Sequence, residues 1–253
     1  MPGPTPQRPS RAFVFLPVAV AGLSAILVAQ MIARDTRFAV PLLGVALLLF
    51  LPSFLARWRM RRLLLSGDVE QIIGSWQGSI ETLPQRETMA PLLQATAYAS
   101  YGWVEAARRA LDRAVKGPAW DAAFEQRLFV EALLDAFEGE RDAAMRKAEV
   151  LQVLPLPAGG PLARRRITRL RHGLAALARA FAHASVDGDA SVLARAATAS
   201  PLVHWAMRYA QAIVAVDRGR PAEVPSLLSG APAWPEASAF RTYHGELLAR
   251  APA

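Results

Sequence analysis

Two uncharged apolar runs open the chain. One covers residues 12–33, 22 positions, and the other residues 38–56, 19 positions, with only Arg34, Asp35, Thr36 and Arg37 between them. Neither alternates as a barrel strand does, and each approaches the roughly 20 residues a helix needs to cross a hydrocarbon core. Pro17, Pro41 and Pro52 interrupt them, which membrane spans tolerate better than water-soluble helices. A link this short predicts an antiparallel transmembrane hairpin. After residue 62 the pattern changes to helical spacing. Val69, Ile72, Ile73, Trp76, Ile80 and Leu83 form one stripe, and Val104, Ala107, Leu111, Ala114 and Val115 a second. Leu128, Phe129, Ala132, Leu133, Ala136 and Phe137 form a third. Glycines 67, 102, 139, 188 and 219 fall in the breaks between such stripes, where a left-handed residue ends one helix before the next begins.

These glycines are 35, 37, 49 and 31 residues apart. A period near 34 residues marks tetratricopeptide repeats. Gly67-Asp68-Val69-Glu70 with Ile72, Trp76, Ser79 and Pro84 follows the second-helix pattern of that family. Tyr98, Gly102, Ala107, Leu111, Ala114 and Pro118 follow it over a full unit. A third unit keeps Gly139, Ala144, Ala148 and Pro155 without the aromatic. Residues 56–230 therefore resemble a tetratricopeptide array, most clearly in the first half. An irregular helical bundle shares the same spacing. The 49-residue interval contains the loop 156–161, a possible subdivision, and residues 236–250 are expected to form a terminal capping helix. The layout, two spans and then repeats, also looks like the membrane repeat proteins associated with bacterial haem biosynthesis. It shares with them an Arg-rich stretch after the second run and a Leu-rich lead into Gly67-Asp68. No function is carried over from that layout.

The fold class predicted is all-α: a tail at 1–11, a hairpin at 12–56 and a helical repeat domain, an α-solenoid, at 57–253. The net charge of +8 does not point to nucleic acid. Residues 1–62 hold eight Arg and one acid, whereas residues 63–253 hold 21 cationic and 20 acidic side chains. The excess flanks the apolar runs, where membrane topology accounts for it. Arg8 and Arg11 with Arg57, Arg59, Arg61 and Arg62 outnumber Arg34 and Arg37 by six to two. This places both termini and the repeat domain on the cytoplasmic side of a cell inner membrane. Trp58 among the arginines suits an interfacial anchor.

Candidate chemistry is sparse. With no Cys there is no thiolate site or cysteine nucleophile. His172, His183, His204 and His244 have no metal-ligand spacing. Gly74-Ser75-Trp76-Gln77-Gly78 is not a nucleophile elbow, and no phosphate-binding Gly-Lys loop occurs. No catalytic, cofactor or metal residue is nominated. In tetratricopeptide proteins the first helix of each hairpin lines the concave face. The resemblance implies a protein-binding groove at Met89, Leu92, Thr96, Phe129, Leu133, Phe137 and Tyr209. The family's peptide-clamping Lys, Arg and Asn are absent there, so an apolar helix, the chain's own terminal helix or the flank of a membrane partner is the expected occupant. Arg164, Arg165 and Arg166, with Arg57, Arg59, Arg61 and Arg62, are candidate contacts for anionic lipid or an acidic partner. The function expected is a membrane-anchored scaffold or adaptor. Its partners would be the bilayer and an unidentified membrane-associated protein, with no cofactor and no nucleic acid. The alternatives are a membrane enzyme with a dispersed site and a permanent subunit of a larger membrane complex.

Overall fold

The computed structural model describes residues 39–251, with side chains at Leu48 and from residue 51 onward. The expected tail, first span and 34–37 turn lie outside the described residues. Ala39–Leu65 forms one helix, α1, which runs through Pro52 and carries Arg57, Arg59, Arg61 and Arg62 in its last third. Among the described residues no helix is long and apolar enough to cross a membrane. The structure shows residues 39–56 as helical and gives no support to the expected transmembrane hairpin. The described residues separate into two compact units, one ending at Arg59 and one starting at Met60.

Every described element is helical. The second unit contains α2 (Val69–Glu81), α3 (Arg86–Ser100), α4 (Val104–Arg113), the short α5 (Pro118–Ala122), α6 (Phe124–Glu138) and α7 (Arg141–Val153). Then come α8 (Pro161–Phe181), α9 (Asp189–Ala199), α10 (His204–Asp217), the single turn α11 (Val224–Leu227) and α12 (Ala239–Ala249). All five glycines expected at breaks have positive φ, between 68° and 91°. Asp68 caps α2 by accepting from the Gln71 N–H at 3.0 Å, as an N-cap carboxylate should. The stripes turn inward: Val69, Ile72, Ile73, Ala107, Leu111, Leu128, Ala132 and Leu133 are all buried. Val115 departs from its stripe and stays exposed, because α4 ends at Arg113 and the chain leaves the helix at Ala114.

Helices pair as α3 with α4, α6 with α7, and α8 with α9. The first helices of the pairs, α3, α6, α8 and then α10, also touch in succession. Gly173 allows a close approach of α8 to α9. A Cβ there would sit 2.3 Å from Ala196 Cβ, so α8 and α9 meet nearly backbone to backbone.

The C-terminal segment does not cap an open end. It folds back over earlier breaks. Ser238 Oγ donates to the Tyr101 carbonyl at 2.7 Å, Ala239 N–H to the Gly102 carbonyl at 2.9 Å, and Tyr243 Oη to the Phe137 carbonyl at 2.8 Å. Gly102 has to be glycine here: its φ is 74°, and a Cβ would meet Phe240 at 3.2 Å. The expected terminal helix exists as α12, but a long-range clasp places it against Phe137 and Tyr209 rather than at one end.

The last turn of α1 belongs to this same unit. Tyr101 Oη donates to the Leu64 carbonyl at 2.5 Å, and Trp205 Nε1 donates to the Leu65 carbonyl at 2.9 Å. A fragment of residues 60–253 is therefore expected to fold and to give a helical circular dichroism spectrum. A fragment starting at residue 69 loses both acceptors and leaves two largely buried donors unpaired. It should be less stable by about 1–3 kcal/mol per group at most. Equal melting of the two fragments would show that the α1 turn contributes nothing.

Candidate functional site

The row of first helices encloses a cleft of about 550 Å³. α3 supplies Met89 and Thr96, α6 supplies Glu125, Gln126 and Phe129, and α8 supplies Ile167, Leu170 and Arg171. On α8 these residues fall at i, i+3 and i+4 and on α6 at i, i+1 and i+4, so each helix offers one face. Leu202 and Val203, in the 3-10 turn Pro201–Val203, close the far side, and that turn touches α3. Ala119, Ala122 and Ala123 line one end. Gln85, left-handed at φ 55°, sits at the margin just before α3.

Thr96, Gln126, Glu125 and Arg171 of the cleft are already engaged. Gln126 Nε2 donates to Thr96 Oγ1 at 3.0 Å, and that hydroxyl donates to the Leu92 carbonyl at 2.7 Å. Arg171 is only 4 % exposed. Its Nε donates to Glu125 Oε1 at 2.9 Å, its Nη1 to the Leu154 carbonyl at 2.5 Å and its Nη2 to the Pro155 carbonyl at 3.1 Å. A buried charge needs such saturation. Arg171 thereby ties α8 to α6 and to the chain leaving α7. What remains for a ligand is mainly apolar: Met89, Phe129, Ile167, Leu170 and Leu202, each half-buried.

The expected groove residues divide. Met89, Thr96 and Phe129 line this cleft. Leu92, Leu133 and Tyr209 are fully buried and Phe137 nearly so, so none of these four lines this cleft. Phe137 and Tyr209 are covered by the clasp: Phe240 stacks on Tyr209 with centroids 4.7 Å apart and meets Phe137 edge-on at 5.3 Å. Tyr209 Oη also receives Trp234 Nε1 at 2.6 Å and lies 3.0 Å from His244 Nδ1. Burial raises the Tyr209 phenol above its usual range, against a smaller lowering from the Trp234 bond. Ile167, Leu170 and Leu202 line the cleft outside the positions that the repeat resemblance implies. The first two sit at i, i+3 inside an arginine run, the one sequence signal that marks a face there.

Arg57, Arg59, Arg61 and Arg62 are exposed on α1, and Arg164, Arg165 and Arg166 are exposed in the first turns of α8. The histidines are dispersed. His183 Nδ1 lies 3.0 Å from Asp217. His204 Nδ1 lies 3.3 Å from the Ala197 carbonyl, and burial, with Arg208 and Arg61 nearby, lowers its pKa. The two buried carboxylates are committed to cations. Asp135 lies between Arg108 at 2.9 Å and Lys147 at 2.7 Å, and Asp189 is held by Arg179 at 2.5 Å. Among the described residues no three His, Asp or Glu side chains are placed to hold a metal ion.

Comparison of the chain with family models, curated proteins and solved structures gives no match.

Proposed function

We propose that this chain is a membrane-tethered, tetratricopeptide-like scaffold whose first-helix cleft receives the apolar face of a partner's helix at the cytoplasmic surface of the membrane. The observation that carries this reading is the cleft: apolar walls from three successive first helices, with Gln126 bonded to Thr96 and Arg171 to Glu125. A cavity of about 550 Å³ suits the side chains of one helical face rather than a whole helix. A carboxylate entering it would lose water without gaining a free cation, so the occupying face is apolar and lacks acids. The tether is supported by the two uncharged runs, by the six-to-two arginine asymmetry and by exposed apolar side chains along α1 at Leu48, Leu51, Phe54 and Trp58.

The test uses the full chain in native membranes, with a photo-crosslinking residue at position 129 and, as control, at position 153. Val153 is 82 % exposed on α7 and is not part of the cleft. Position 129 is expected to crosslink to one discrete protein, through a peptide that maps to an amphipathic or membrane-spanning helix and has no acid at the contact. With the crosslinker at position 89, Phe129→Asp should cut that adduct at least tenfold while leaving the circular dichroism of the 60–253 fragment unchanged. The same adducts from positions 129 and 153, or a contact peptide rich in acids, would sink the reading.

A further inference from the structure

We propose that a concavity on the side of α8 away from the apolar cleft is an anion site for a phosphate group. It has a volume of about 340 Å³ and is lined by Thr168, Arg169 and His172 of α8 with Val192 and Arg195 of α9. On an α-helix, Thr168, Arg169 and His172 are turned roughly 100–200° from Ile167, so the two sites share a helix and no wall.

The close approach of α8 and α9 builds the site. Gly173 meets Ala196 nearly in backbone contact. His172 and Arg195 each precede one member of that contact, so both are carried to the rim of the same seam. Arg169 lies one turn from Gly173 on α8, and Arg195 one turn from Val192 on α9. Two guanidinium groups, an imidazole and a hydroxyl therefore line one hollow, and no carboxylate lines it.

Some described arginines have an acid partner, and others, Arg164, Arg165 and Arg166 among them, are exposed without one. Arg171 meets Glu125, Arg179 meets Asp189 and Arg218 meets Asp187. Among the described residues Arg169 has no ion pair, and Arg195 has only a 3.5 Å contact with Ser191 Oγ on its own helix. Like charges placed around one concavity repel, and an anion between them relieves that repulsion while accepting charge-assisted hydrogen bonds from both. Guanidinium forks match the tetrahedral oxygens of phosphate. The His172 ring can donate a further N–H. The Thr168 hydroxyl is occupied by the Arg164 carbonyl at 3.0 Å, so it contributes an acceptor to any protonated oxygen of the ligand. Val192 supplies an apolar floor that fixes depth without competing for the anion. The ligand is a phosphate group, either free or borne on a lipid headgroup.

The experiment titrates the full-length chain in neutral detergent with inorganic phosphate at fixed ionic strength, read by 31P line broadening, and in parallel with a short-chain phosphatidic acid. Fixed ionic strength keeps general screening constant. Saturable binding of either probe is expected. Saturation by inorganic phosphate identifies the free anion as sufficient, and saturation by phosphatidic acid alone assigns the group to a headgroup. Arg169→Gln with Arg195→Gln should weaken the saturating probe at least tenfold without changing the melting curve, because both side chains are exposed. Arg241→Gln, an exposed arginine on α12, removes one charge elsewhere and should leave binding unchanged. Three results would overturn the proposal: neither probe saturating, the double variant binding as the parent does, or Arg241→Gln costing as much as the double variant.

Discussion

Phe240→Ala is expected to destabilise the 60–253 unit by about 3–5 kcal/mol, the usual cost of emptying a large aromatic site in a core. Phe240 is fully buried. Its ring stacks on Tyr209 at 4.7 Å and meets Trp234 at 5.0 Å and Phe137 at 5.3 Å edge-on, contacts that add to plain area burial. It also fills the space left by the missing side chain of Gly102. The cavity cannot collapse easily, because the Ser238 and Ala239 bonds to Tyr101 and Gly102 hold the neighbouring backbone in place. The upper half of the range is therefore favoured. Urea unfolding of the fragment followed by circular dichroism measures it. A loss under 1 kcal/mol would show that the terminal segment is not part of the cooperative unit.

That clasp also explains what sequence periodicity could and could not convey. Helical stripes and the five spaced glycines report local states, and they were legible: each glycine ends or separates a helix with positive φ. The same stripes do not report what covers a face. Met89, Thr96 and Phe129 share their helices with Leu92, Leu133 and Phe137, and all are apolar or small. The first three border the cleft because the next first helix and the Pro201–Val203 turn stand off from them. Phe137 and Tyr209 are buried by Phe240 and Trp234, which lie far along the chain from Phe137 and 25–31 residues beyond Tyr209. A contact made over such a separation leaves no periodic trace. Arg171 illustrates the complementary failure. Within Arg164–Arg171 it is one basic residue among several. Its burial depends on Glu125 and on two carbonyls of the chain leaving α7, and none of these is marked in the sequence. The long interval between Gly139 and Gly188 has a simpler cause. It holds the 154–160 connection and the 21-residue α8, longer than any other helix of the second unit.

The Arg179–Asp189 pair is expected to show an asymmetry that its geometry dictates. Asp189 opens α9 and is 2 % exposed. It accepts from Arg179 Nε at 3.0 Å, from Arg179 Nη2 at 2.5 Å and from the Val186 N–H at 2.9 Å. The Arg179 side chain is 30 % exposed. Removing one partner of a buried pair costs roughly 3–5 kcal/mol when the survivor stays buried and charged. Arg179→Met leaves such a survivor, a carboxylate with one backbone N–H and almost no access to water, so a loss of about 3 kcal/mol or more is expected. Asp189→Ala leaves an arginine that can turn toward solvent and a Val186 N–H that cannot, so the loss should be smaller, about 2 kcal/mol. Asp189→Asn should cost a similar amount, because its amide turns a donor toward the guanidinium or toward Val186 N–H. The double variant Arg179→Met, Asp189→Ala should be more stable than the sum of the single losses allows, since no charge is then stranded. Urea midpoints of the four fragments decide the matter. If Asp189→Ala costs more than Arg179→Met, the carboxylate is reached by water and is not sealed by Arg179.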